Sequence, residues 1–149
     1  MRAVAQRVRS ARVRVAGEEI AAMGEGLLTL VGVGSEDGAD DARELARKLV
    51  SLRVFADAEG RMNRSLLETG GTLGLVSQFT LFGDTRHGRR PSFTGAAPAA
   101  QAEPLLAVLV EAARAQGVPV VTGRFGADME VELVNAGPVT LWIDTRSDV

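Results

Sequence analysis

The sequence predicts an α+β domain. Short apolar or alternating runs recur along the chain, two longer stretches instead repeat apolar residues at helical spacing, and glycine- or proline-bearing turns separate them. The 149 residues fit one domain, 1–149, with no repeat, low-complexity tract or interdomain linker to divide it. A chain of this size buries roughly two thirds of its unfolded surface without a disulfide or metal staple.

The opening segment alternates, with Val4, Gln6 and Val8 opposing Ala5, Arg7 and Arg9, and Ala11 to Val15 alternates likewise before Gly17. The two read as paired strands. Gly26 to Val33 is a nearly continuous apolar run between glycines, which predicts a central strand buried on both faces. From Asp40 to Val50, the residues Ala42, Leu45, Ala46, Leu49 and Val50 share one helical face, and the acidic pair Asp40 and Asp41 favours a helix start. Ala56 to Gly60 is a turn, and Gly70 and Gly71 introduce a strand-like run from Thr72 to Phe82. The segment Gly83 to Pro98 exceeds the usual connection length, which points to a functional or mobile loop. A second helix, Ala99 to Gln116, presents Leu105, Leu109, Ala112 and Ala113 on one face and stops at Gly117 and Pro119. Two last strands, Asp128 to Val134 and Val139 to Ile143, flank Asn135-Ala136-Gly137-Pro138.

Composition removes several chemistries. With no cysteine there is neither a disulfide framework nor a thiolate nucleophile, and His87, the single histidine, cannot build a zinc tetrahedron. Neither a metal nor a cofactor is expected. Arg2, Arg7 and Arg9 interrupt the opening residues, and no apolar run approaches a membrane span, so the reading is a soluble, unprocessed, cytoplasmic protein without a membrane partner. The net charge of −2 is silent on nucleic acid. Of the 17 basic residues only Lys48 is a lysine, a bias that suits phosphate and equally fits a GC-rich genome.

Single residues weigh little on their own. His87 has no Ser-His-Asp arrangement around it and reads as an exposed structural residue. Glu130 and Glu132 point to one face of a strand, more simply a solvated face than an acid/base pair. Gly24-x-Gly26 and Gly32-x-Gly34 lack the spacing of a phosphate loop and read as turns. Two segments differ. In Ser77-Gln78-Phe79-Thr80 polar side chains interrupt an apolar run, so either they have partners, or a ligand supplies them, or this is an edge strand with a hydrated face. Asn135-Ala136-Gly137-Pro138-Val139-Thr140 is by itself an ordinary turn, since only about 5–6% of X–Pro bonds in folded proteins are cis.

Together these two segments resemble the signatures of the D-aminoacyl-tRNA deacylase family: a Ser-Gln-Phe-Thr motif at Ser77 to Thr80, followed by an Asn-x-Gly-Pro-Val-Thr motif at Asn135 to Thr140. Gln6 to Val8, Asp57 to Asn63, Arg90 to Phe93 and Thr122 to Met129 resemble it too, so the likeness spans the chain. It implies a mixed or antiparallel, barrel-like sheet with two main helices, assembled as a homodimer. The activity implied is hydrolysis of the ester of D-aminoacyl-tRNA, and of glycyl-tRNA mischarged on tRNA(Ala). By the same resemblance the bond between Gly137 and Pro138 is cis, and each protomer inserts this motif into the other's active site. There its carbonyls accept the substrate ammonium and leave no room for an L side chain. Arg7 resembles the residue that holds the motif, and Met129 one that lines the pocket.

For the chemistry, backbone N–H groups around Phe79 and Thr80 would form an oxyanion hole, while Ser77 and Gln78 orient the terminal adenosine and the ester. Thr80 is the obvious nucleophile but lacks a base, which favours water attack assisted by the substrate's 2′-hydroxyl. Arg86, Arg89 and Arg90 are the candidates for tRNA phosphates. Two rival readings are a non-catalytic nucleic-acid-binding module, and an editing domain of the kind attached to archaeal threonyl-tRNA synthetases.

Overall fold

A computed structural model of the chain, in which residues 1–146 are described, opens on one 14-residue strand, β1 (Arg2–Val15). The two alternating runs at the start are therefore a single strand and do not pair with each other. The reversal comes after Val15, where Ala16 and Gly17 take positive φ values of 50° and 81°, and the hairpin partner of Ala11 to Val15 is β2 (Glu18–Met23). What imitates a break in the sequence is a change of phase. Ala3 and Ala5 are buried, then Val8, then Ala11 and Val13, and the irregular steps fall where pairing with the last strand slips.

The chain continues through β3 (Gly26–Gly32), α1 (Ala39–Ser51), the small hairpin β4 (Phe55–Ala56) and β5 (Met62–Arg64), and the one-turn helix α2 (Leu66–Thr69). Then follow β6 (Thr72–Ser77), a 3-10 turn (Phe79–Phe82), α3 (Ala99–Ala115), β7 (Val120–Thr122) and β8 (Met129–Asp144). Strand β3 pairs antiparallel with β1 and parallel with β6, which in turn runs parallel to β7. Strand β8 lies antiparallel along the whole of β1, from Arg2 opposite Asp144 to Val15 opposite Met129. Since β2 and β7 also approach each other, the mixed sheet nearly closes into a barrel.

Neighbouring residues on a strand face opposite ways, and this separates two cores. Leu27 and Leu75 pack with Leu45 and Leu49 of α1 and Leu109 of α3, while Leu28 and Val76 pack with Val8, Val13, Met23 and Met129 on the other side of the sheet. The predicted α+β class with two main helices is what forms, and both helices match their expected bounds to within a residue.

Further expectations are corrected. The apolar run from Thr72 does not stay extended to Phe82, and β6 is no edge strand, because it lies between β3 and β7. Its last rung is the Gln78 N–H donating to Val31 O at 2.7 Å, after which the chain tightens. The glycines read as a turn, Gly32 and Gly34, explain why it can: a Cβ on Gly32 would stand 2.9 Å from Gln78 O, and one on Gly34 would stand 2.8 Å from the Phe82 ring. They form the seat for the 3-10 turn. The two last predicted strands are likewise one element, β8, broken by a local excursion. Asn135 pairs with Val8 and Thr140 with Gln6, so Ala136, Gly137, Pro138 and Val139 all stand opposite Arg7 alone.

The end of β8 is tied to α1 by charge. Arg146 donates to Asp37 Oδ1 at 3.0 Å and to Asp41 Oδ2 at 3.1 Å, Thr145 Oγ1 donates to Asp41 Oδ1 at 3.1 Å, and the Met1 amino group lies 2.9 Å from Asp37. No helix among the described residues is long and apolar enough to cross a membrane.

Desolvation raises the Asp41 carboxyl, but the Gly38 N–H, Arg146 and Thr145 together outweigh it and hold the group below its usual 3.8. Because the folded value is the lower one, this contribution is complete above the unfolded value and is lost as pH falls through the folded one. Arg146→Ala is expected to lower the melting temperature at pH 7 by about 1–3 °C. Thermal melts repeated at pH 4 and pH 2 should show the gap to the unaltered protein closing; a gap of constant size would assign Arg146 a role unrelated to Asp41.

Candidate active site

Where β6 ends, Ser77, Gln78 and Phe79 line a cleft of about 520 Å³ together with Leu106 of α3 and Asp128, Met129 and Val131 at the start of β8. Of the residues predicted from sequence, the fold thus brings Ser77, Gln78, Phe79 and Met129 to one place. Thr80 is exposed beside it, its Oγ1 accepting a hydrogen bond from Gln78 Nε2. Asp128, a carboxylate in the cleft, escaped the sequence reading. It directly precedes β8, at the start of the predicted strand Asp128 to Val134, and nothing in that alternation marks it as a site residue.

The turn is closed by main-chain hydrogen bonds. The Leu81 N–H donates to Gln78 O at 3.2 Å and the Gly83 N–H to Thr80 O at 2.9 Å. The start of a helical turn leaves its first donors without an intrahelical acceptor. The N–H groups of Phe79 and Thr80 meet no protein acceptor among the described residues. Arg2, also missed from sequence, anchors this turn. Its Nη1 donates to Leu81 O at 3.1 Å, its Nε lies 3.2 Å from Asp144, and its guanidinium stands 4.4 Å from the Phe82 ring centroid. In sequence it is merely one more arginine on an alternating strand.

Arg7, Gly137 and Pro138 form a second locus, away from the residues that line this cleft. Arg7 donates through Nη1 to Val54 O at 2.6 Å and through Nε to Ala136 O at 3.2 Å. Asn135 Nδ2 donates to Arg7 O at 2.9 Å and to Val139 O at 3.0 Å, closing the base of the excursion. The bond between Gly137 and Pro138 is cis, and both residues are exposed. Gly137 has φ 119°, where an L side chain is strained, and a Cβ there would stand 2.7 Å from Arg7 Nη2, so a side chain would also have to displace the guanidinium.

In the Gly83 to Pro98 loop, Asp84 and Ser92 exchange backbone hydrogen bonds of 2.7 and 2.9 Å. Arg86 is bonded to Asp84, whose carboxyl it pushes down to about 2. Arg89 and Arg90 are exposed and lie in none of the ion pairs of the described residues. His87 is exposed, and Glu132 pairs with Arg14 at 2.7 Å on an outer face.

A family model described as D-Tyr-tRNA(Tyr) deacylase matches residues 4–144. A D-aminoacyl-tRNA deacylase of Chloroflexus aurantiacus is 57% identical over 145 residues, covering 97% of this chain and 91% of that protein. One from a Roseiflexus species is also 57% identical, with 97% and 94% covered. Among solved structures, a c-Myc DNA unwinding element binding protein superposes with a TM-score of 0.90 at 37% identity, covering 97% of this chain and 98% of that one. A probable eukaryotic D-amino acid tRNA deacylase shares the fold, with a TM-score of 0.82 at 18% identity and 95% and 97% covered.

The contact between Arg7 and Gly137 can be tested by stability alone. Gly137→Ala is expected to cost about 1–3 kcal/mol from strain at positive φ and the clash with the guanidinium. In Arg7→Ala the clash partner is gone, so the double variant should lose less than the sum of the two single losses. Chemical denaturation of all four proteins measures this, and strict additivity would show that the two residues do not press on each other.

Proposed function

The chain belongs to the D-Tyr-tRNA(Tyr) deacylase family, and from that premise we propose that it hydrolyses the ester of D-aminoacyl-tRNA, and of glycyl-tRNA formed on tRNA(Ala), to free amino acid and tRNA. The observation that carries this reading is the pair of amides at Phe79 and Thr80 that meet no acceptor among the described residues, on a turn whose Phe79 lines the cleft. With the terminal adenosine and its ester in that cleft, the two N–H groups receive the carbonyl oxygen as it gains charge. Ser77 and Gln78 orient the ester and ribose. An ester is already activated relative to an amide, so positioning and charge stabilisation suffice.

Thr80 is not the nucleophile in this reading. Its oxygen already receives the Gln78 amide, and an amide is no base at either of its ends. Water attacks instead, assisted by the vicinal 2′-hydroxyl of the substrate, and the ribose 3′-oxygen leaves.

Discrimination between mirror images comes from the Gly137-Pro138 excursion of a second protomer, inserted into this cleft. Two features support that arrangement. The excursion is outward-facing and clamped by Arg7 and Asn135, yet it does not line the Ser77 cleft of its own chain. Strand β8 pairs with β1 alone among the described residues, and it exposes Val134 and Trp142 at 50% and 56%, a surface that a partner would cover. Carbonyls of the excursion accept the substrate ammonium, an L side chain meets the main chain, and a D side chain or the hydrogen of glycine does not.

A second reading, nucleic-acid binding without catalysis, draws support from the name of the neighbour that shares 37% identity. One experiment separates the two: D-tyrosyl-, L-tyrosyl- and glycyl-tRNA are incubated side by side with the protein and with Thr80→Ala. The D and glycyl esters should be hydrolysed and the L ester left intact, with Thr80→Ala retaining activity to within about threefold, against the roughly 10²- to 10³-fold cost of losing an oxyanion donor. Equal rates on D and L esters would end the chiral reading, and no hydrolysis at all would favour the binding module.

A further inference from the structure

We propose that Phe79 and Phe93 form a stacking platform for the unpaired bases that precede the terminal adenosine of the tRNA 3′ end, with Arg89 and Arg90 on the phosphates between them. The inference rests on the aminoacyl-tRNA reading above and adds a subsite that none of the chemistry at the ester requires. It starts from two large apolar rings left in water: Phe79 is 58% exposed and Phe93 37%. They meet edge to face, with centroids 5.1 Å apart and planes at 70°. Such a contact covers one face of one ring and leaves the others free for a flat partner.

The platform is held in place. Phe93 comes from the far end of a loop closed by the paired Asp84 and Ser92 backbones, and its carbonyl accepts the Ala96 N–H at 3.0 Å. Its ring rests on Gly83, where an added Cβ would be 3.1 Å from Phe93 Cε1. Phe79 is shared with the cleft wall, so whatever leaves the cleft on this side passes the two rings. A polynucleotide strand that ends in the cleft has unpaired bases and phosphates at that point.

Charge agrees with this occupant. Asp84 neutralises Arg86, whereas Arg89 and Arg90 in the same loop have no carboxylate partner among the described residues. Aromatic faces beside free guanidinium groups suit single-stranded RNA, in which every base offers a π-face and every linkage a negative charge.

The test compares two esters of different reach. D-tyrosyl-tRNA carries the preceding nucleotides, and 2′(3′)-O-D-tyrosyl-adenosine does not. Phe93→Ala should raise KM for the tRNA ester about 5- to 100-fold, the range of one or more lost stacking contacts, with kcat kept, and Phe93→Trp should restore it. Hydrolysis of the adenosine ester should be the same in all three proteins. Equal losses on both esters would reduce Phe93 to a support of the cleft and overturn the platform, and so would a shift of Phe93→Ala from dimer to monomer by light scattering, which would make the rings a contact between copies. Binding gives a readout that needs no catalysis: a labelled ribotetranucleotide ending in CCA, followed by fluorescence anisotropy, should bind the unaltered protein more tightly than Phe93→Ala. The paired Arg89→Ala and Arg90→Ala variant should flatten its log K against log salt slope by about 1.4, two single-strand contacts. If the unaltered protein hydrolyses neither ester, the deacylase reading fails while this binding comparison still decides the platform; equal binding by all variants overturns it.

Discussion

The antiparallel ladder between β1 and β8 sets out the rest of the molecule. Where it runs unbroken it lays the last strand of the chain along the first and carries the sheet toward closure. Where it breaks, a stretch of β8 with no rung to occupy stands out opposite Arg7, and the alternation of β1 changes phase. The same interruption therefore redirects two sets of side chains. It turns the buried positions of β1 from the helix-facing core to the one across the sheet, and it frees the Arg7 guanidinium to hold Ala136 and Val54. Packing and the second locus are two results of one irregularity.

At the other locus the determining feature is what two glycines leave out. Without side chains at Gly32 and Gly34, the chain after β6 can fold down onto the end of β3 instead of continuing past it. Arg2 then fastens the turn to the close of β8 through Leu81 O, the Phe82 ring and Asp144. A tight turn fixed at both ends holds its amides in a constant direction. That is the condition under which main-chain dipoles stabilise developing charge without a reorganisation cost.

How much of this could be read beforehand follows from how local each signal is. Helix α1 shows itself through Ala42, Leu45, Ala46 and Leu49 at helical spacing, and α3 through the same periodicity and the stop at Gly117, because both patterns lie within a single element. The sequence divides strand β1 in two because its alternation depends on a register break with a strand far along the chain. The segment Glu18 to Met23 alternates poorly, and β4, β5 and β7 are two or three residues long, too short for any period to stand out. The Ser77 to Thr80 segment was conspicuous for its polarity, yet its turn geometry depends on glycines 45 or so positions earlier in the chain. By spacing alone Gly137 and Pro138 look like a common turn, because Arg7, which presses against them, is more than a hundred residues away; only the resemblance to the family implies the cis bond and the hold of Arg7. Arg2 owes its place to tertiary contacts with Leu81, Phe82 and Asp144.

The ladder that unites the ends of the chain also orders events in time. Strand β1 is made before β8, with 127 positions separating Arg2 from Met129. At about 5–20 residues per second, one edge of the first strand waits on the order of ten seconds for its permanent neighbour. Closure of the sheet therefore comes after every other strand has been made.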